Sequence, residues 1–130
     1  MNPLRVHHIA LKVFDLAAAE AFYVDVLGLP VLRRWPSADG VGERSLWLAL
    51  GAESFLALER AGQEAGSKTD DLPGFHLVAL HIDASERAAW IAKLAQAGRP
   101  AYRQTPHTIY VRDPEGNRIG LSHWPRQADG

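Results

Sequence analysis

Apolar and polar positions alternate with a period of two from Val6 to Phe14. Ile9, Leu11 and Val13 fall on one side and His8, Ala10 and Lys12 on the other, which predicts a strand with one packed face. Asp15 is a residue type that caps helix N-termini. The spacing then turns helical through Ala18, Ala21, Phe22 and Val26, and Gly28 with Pro30 closes the helix. Val31 to Trp35 predicts a second strand, and Ser37-Ala38-Asp39-Gly40 a turn. Arg44 to Ala49 is a strand with Leu46 and Leu48 on one face and Trp47 on the other. Gly51-Ala52-Glu53 leads into a fourth strand over Phe55 to Glu59.

A polar stretch from Ala61 to Pro73 reads as a linker. The pattern then restarts. Phe75 to Ile82 predicts a strand, and Ser85 to Ala97 a helix with Trp90, Ile91 and Leu94 on its buried side. Ala101 to Gln104, Thr108 to Arg112 and Arg118 to Trp124 predict three strands, the last two joined by the turn Asp113-Pro114-Glu115-Gly116-Asn117. The tail from Pro125 to Gly130 is expected to fray. Ala79-Leu80 stands 69 residues after Ala10-Leu11, and both sit in the same strand motif, so the halves repeat each other. The expected architecture is α+β: tandem βαβββ modules forming a cupped mixed sheet with helices packed outside. One domain spans residues 1–130. Module one runs over about 5–60, the linker over about 61–73, module two over about 74–124 and the tail over 125–130.

Composition narrows the function without naming it. Nearly half of the 130 residues are apolar, enough for a real core. The formal net charge is −1 and the basic residues form no stripe, which argues against nucleic acid. There is no cysteine, hence no thiol nucleophile and no thiolate metal site. The N-terminus shows no signal-peptide core, and no apolar run approaches the ~20 residues of a membrane span. The expectation is a cytoplasmic protein without a membrane partner.

Three segments carry a family resemblance. They are His8-Ile9-Ala10-Leu11-Lys12-Val13-Phe14-Asp15-Leu16, Ala21-Phe22-Tyr23 followed by Leu27-Gly28-Leu29, and Tyr110-Val111-Arg112-Asp113-Pro114-Glu115-Gly116-Asn117. In this order, on a duplicated βαβββ pattern, they resemble the vicinal oxygen chelate superfamily. That group includes glyoxalases, fosfomycin-resistance proteins, extradiol dioxygenases and bleomycin-resistance proteins. The resemblance implies two sheets curled into a cup, with the substrate usually held over one divalent metal, and it implies a homodimer.

The resemblance also implies four metal-ligand positions, here occupied by His8, Ala57, Leu77 and Gly120. One of the four carries a donor. Divalent metals need three or more convergent His or carboxylate ligands. His76 adjoins Leu77, but strand alternation turns it to the helix side. A relocated set of His8 with Glu59 and His81 is conceivable, although its members stand far apart along their strands. No metal and no other cofactor are expected.

Alternation also marks the residues that would face a ligand. His8, Lys12, Trp47, Phe55 and Glu59 come from the first module, and His81, Tyr110, Arg112 and Trp124 from the second. Ligand pockets are mostly apolar with a few placed polar groups. Loss of two carboxylate positions to Ala57 and Gly120 suits a bulky, partly aromatic organic molecule. The leading expectation is therefore a bleomycin-resistance-like protein that sequesters such a molecule without the usual metal. The alternatives are a metal-dependent lyase, isomerase or dioxygenase-like enzyme with a displaced site using His8 with His76, Glu59 or His81, and a dimeric interaction module whose Trp47, Phe55 and Trp124 simply pack.

Overall fold

The computed structural model of the chain describes residues 1–62 and 73–125. Most of the expected linker, and the tail beyond Pro125, lie outside the described residues. The chain divides into two compact units, residues 1–67 and 68–130, and each carries one βαβββ module.

Unit 1 contains β1 (His8–Val13), α1 (Leu16–Glu20), β2 (Val31–Pro36), β3 (Glu43–Leu50) and β4 (Ser54–Arg60). Its sheet runs β1-β4-β3-β2, with β1 parallel to β4 and the other pairs antiparallel. Asp15 caps α1: its carboxylate accepts the Ala18 N–H at 2.9 Å, satisfying a donor with no partner inside the helix. The helix widens into a π-turn over Ala21–Val26, where the Leu27 N–H donates to the Phe22 carbonyl. Gly28, at φ +78°, adopts the left-handed conformation that ends it. α1 lies against β3 and β4. Leu46, Leu48, Leu56 and Leu58 are buried there with Val13, Phe22 and Tyr23, each large side chain contributing about 1.5–3 kcal/mol. A bidentate pair from Arg34 to Glu20, at 2.7 and 3.0 Å, ties the end of α1 to β2. That hydrogen bond holds the Glu20 carboxyl below its usual value.

Unit 2 repeats this plan with β5 (Val78–His81), α2 (Arg87–Gln96), β6 (Arg103–Gln104), β7 (Thr108–Arg112) and β8 (Arg118–Ser122). Its sheet order is β5-β8-β7-β6, with β5 parallel to β8. Ile82, Leu94, Ile109, Val111, Ile119 and Leu121 form its core. Arg87, opening α2, donates to the Thr105 carbonyl at 2.7 Å and lies 3.0 Å from His123 Nε2, which fixes the helix start to the β6–β7 turn. Asp113 is 1% exposed, yet its carboxylate accepts from the Glu115 and Asn117 amides and from Asn117 Nδ2. This buried acid thus stabilises the β7–β8 turn.

Both modules match the tandem βαβββ expectation, with differences at element ends. The strand expected from Phe75 starts only at Val78, and the last strand stops at Ser122, short of Trp124. Of the expected buried side of α2, Leu94 is fully buried while Trp90 and Ile91 are half-buried. No helix among the described residues is long and apolar enough to cross a membrane.

Candidate functional site

In each unit the sheet face bearing the leucine, isoleucine and valine side chains is packed, so the chemistry is on the opposite face. In unit 1 that face carries an aromatic row crossing all four strands. The His8 ring stacks on Phe55 with centroids 4.7 Å apart and planes 7° from parallel. Phe55 stacks on Trp47 at 4.5 Å, and Trp47 meets Trp35 edge-on at 5.2 Å. The register places His8 opposite Phe55, and Trp47 two pairs along, opposite Ala57. Diagonal neighbours on adjacent strands lie within reach of aromatic side chains. The small Ala57 leaves room for this overlap.

The polar groups around the row are few. His7 Nδ1 and His8 Nδ1 lie 2.9 Å apart, so one ring donates to the other. The Arg33 and Arg44 guanidinium carbons sit 3.6 and 5.4 Å from the Trp35 ring centroid, within cation–π range. Lys12 and Glu59 stand opposite each other across β1 and β4. Trp35 Nε1 and Ser45 Oγ are buried without a hydrogen-bond partner. Both atoms therefore retain unused donor capacity beside the row.

The corresponding face of unit 2 is cationic. A cavity of about 150 Å³ is lined by His76, Leu77, Tyr102, Arg103, Tyr110 and Arg118. Arg118 Nη1 contacts the His76 ring, lying 3.2 Å from Nε2 and closer still to Nδ1. The Arg103 guanidinium lies 5.5 Å from the Tyr110 ring, and that of Arg112 lies 4.9 Å from the Tyr102 ring. Arg112 also donates to the Gly116 carbonyl at 2.9 Å.

The nine residues expected at a ligand site divide accordingly. The structure brings His8, Phe55 and Trp47 into direct contact, with Lys12 and Glu59 further along the same face. In unit 2, Tyr110 lines the cavity, while Arg112 backs Tyr102 without lining it. His81 is exposed and faces Asp83 at 3.8 Å. Trp124 is 67% exposed, edge-on to His107 at 4.6 Å.

One expectation reverses. His76 does not turn away from Leu77's side, since both line the same cavity. The reason is that β5 begins at Val78, so strand alternation does not govern residue 76. Tyr102, Arg103 and Arg118 were not anticipated. Arg118 was within reach of the sequence: it stands two residues before Gly120 on the same strand, hence on the same face.

The structure permits a test of the metal implied by the resemblance. Ala57 and Gly120 carry no donor, and Leu77 fills the third position. A Cβ on Gly120 would meet Thr108 Cγ2 at 3.3 Å, Ala79 Cβ at 3.5 Å and Leu77 Cδ1 at 3.6 Å. A side chain there would therefore be surrounded by apolar carbon, tightest against Thr108. The Arg118 guanidinium on His76 repels a second cation there. Among the described residues no three His, Asp or Glu side chains gather to hold a metal ion. Among the described residues, the side chains at the four implied positions do not supply the donors such a metal needs.

The comparisons with known proteins follow the fold. A protein of Pseudomonas aeruginosa, itself uncharacterised, is 29% identical over 123 residues, covering 89% of this chain and 86% of its own length. The trypanothione-dependent glyoxalase I of Leishmania major superposes with a TM-score of 0.72 at 25% identity, covering 93% of this chain and 87% of that one. An antibiotic-binding protein from a Streptomyces species gives 0.68 at 26% identity, covering 96% and 99%. The Glyoxalase/Bleomycin resistance protein/Dioxygenase superfamily model matches residues 5–121. With its repeated strand motif and two βαβββ modules, the chain belongs to that superfamily, the vicinal oxygen chelate group.

Proposed function

We propose that this protein binds a small, partly aromatic organic molecule on the aromatic face of unit 1 and does so without a metal. The observation that carries the reading is the aromatic row of stacked His8, Phe55 and Trp47 with Trp35 edge-on at its end, on the face where the resemblance puts an acid position at Ala57. Aromatic pairs contribute about 0.5–1.5 kcal/mol beyond area burial, so a flat ligand laid on this row gains from several rings at once. Lys12, Glu59 and the His7–His8 pair orient it through hydrogen bonds and charge. Sequestration is the corresponding mechanism, since this face offers ring surface for stacking. The similarity to an antibiotic-binding protein supports it. The reading keeps the cytoplasmic homodimer expected from the sequence, in which exposed Phe75 and Trp124 are apolar surface for a subunit contact.

The test joins two measurements on one sample. Elemental analysis of protein purified without chelator or histidine tag, before and after added zinc, nickel, manganese and iron(II), is expected to give less than a tenth of an equivalent throughout. Tryptophan fluorescence titrated with a panel of aromatic compounds is expected to quench saturably, and Trp47→Ala to weaken the best ligand by roughly tenfold or more. Near one equivalent of metal, lost on His8→Ala, would sink the metal-free reading and point to the lyase, isomerase or dioxygenase-like alternative.

A further inference from the structure

The cavity in unit 2 has a chemistry unlike the aromatic row, and it is built entirely from residues 76–118. Its lining holds two guanidinium groups, Arg103 and Arg118, two phenols, one imidazole and one leucine, and no carboxylate. Arg103 makes no ion pair among the described residues, and its guanidinium rests only against the Tyr110 ring. The nearby buried acid, Asp113, does not line the cavity; its carboxylate accepts from two backbone amides and the Asn117 side-chain amide. Arg112 adds a third guanidinium behind Tyr102. Arginine presents a planar fork of donors that matches carboxylate and phosphate oxygens.

Volume limits what enters. At about 150 Å³ the cavity holds the equivalent of about five waters at their liquid volume. Pockets that swallow a drug-sized molecule run to about 300–1,000 Å³. A compact charged group therefore fits, while a whole antibiotic does not. The Tyr102 and Tyr110 rings, 6.3 Å apart and tilted by 45°, flank it with flat apolar surface.

We infer that this pocket is an oxyanion site, taking the carboxylate or phosphate end of a small organic acid or phosphate ester. Arg103 and Arg118 bind the oxygens, His76 holds the Arg118 guanidinium at the rim, and the tyrosine rings contact the organic part. The inference stands apart from the aromatic row of unit 1 and does not need it.

The probes are phenyl phosphate, benzoate, inorganic phosphate and the neutral phenol, titrated into the full-length ¹⁵N-labelled protein. Arginine Nε–Hε and tryptophan Nε1–Hε1 resonances are followed in the same ¹H–¹⁵N spectra. Phenyl phosphate and benzoate are expected to move the Arg103 and Arg118 signals saturably and to bind roughly tenfold or more tightly than phenol. Arg103→Gln and Arg118→Gln are each expected to weaken phenyl phosphate roughly tenfold, with circular dichroism unchanged. Arginine signals that stay fixed, or phenol binding as tightly as the anions, would overturn the site, and the wild-type spectra decide this even if a variant misfolds. Inorganic phosphate binding as tightly as phenyl phosphate would overturn the organic part and leave a free-anion site. The Trp35 and Trp47 signals report separately on unit 1, so failure here is distinguishable from failure of the aromatic reading.

Discussion

The two units share one strand plan, and the register sets equivalent positions side by side. Ala10 pairs with Ala57 in unit 1, as Ala79 pairs with Gly120 in unit 2. Trp47 lies opposite Ala57, as Tyr110 lies opposite Gly120. Two residues before each small residue, unit 1 has Phe55 and unit 2 has Arg118. On the outer flank, Ser45 and Glu59 correspond to Thr108 and Ser122. Ser45 Oγ has no partner, whereas Thr108 Oγ1 bonds Ser122 Oγ at 2.9 Å. The framework is thus duplicated, and a handful of face residues separate an aromatic surface from a cationic one. The lesson is that the core sets the geometry, and the alternate residues of the same strands set the chemistry, because successive side chains on a strand point to opposite faces.

The largest test of the shared framework is a matched core deletion. Leu58 and Leu121 are equivalent, at 0% and 2% exposure. Leu58→Ala and Leu121→Ala are each expected to cost about 2–5 kcal/mol in denaturant unfolding. A cost below about 1 kcal/mol at either site would break the equivalence.

Next in size is the placing of acids at the two positions where the family resemblance implies them. Ala57→Asp and Gly120→Asp each put a carboxylate into a buried position, at Gly120 against Leu77 and Thr108. Each is expected to destabilise by about 2–4 kcal/mol and to leave metal content near zero by elemental analysis. Stoichiometric metal in either variant would show that donors converge after all.

An exchange of face chemistry is sharper but smaller. Phe55→Arg is expected to weaken the best aromatic ligand by about 1.4 kcal/mol, a tenfold change in Kd, and to leave phenyl phosphate binding alone. Arg118→Phe is expected to do the reverse. Equal losses of both ligands in either variant would mean the faces are not chemically separate.

The smallest effect concerns an ion pair that unit 1 has at its helix end. The Arg34 hydrogen bond lowers the Glu20 pKa. Its stabilisation is present above the ordinary carboxylate pKa and is lost as pH falls through the lowered folded-state value. Both side chains are partly exposed, at 44% and 32%, so the pair contributes at most about 1 kcal/mol. Glu20→Gln should lower the Tm at neutral pH and match the parent in strong acid. A difference that persists in acid would assign the effect to packing.

Much of this molecule was legible before any coordinates. The alternation at Ile9, Leu11 and Val13, the Asp15 cap and the Gly28 stop all mark elements that exist, because they rest on local sterics and hydrogen bonding. His8, Trp47 and Phe55 were placed on one face by parity alone, and they are in contact. Parity failed at His76, since a rule about strands does not say where a strand begins. It was also silent on Arg103, because a two-residue strand has too little pattern to read.

The sequence by itself determined the duplication, the family and the absence of donors at Ala57, Leu77 and Gly120, for those depend on residue identity and order. Only the tertiary structure decided that four aromatic rings from four strands meet in one row, and that His76, Arg103 and Arg118 line one small cavity. These contacts join residues tens of positions apart, and their distances follow from strand pairing and side-chain rotamers, which no local pattern specifies.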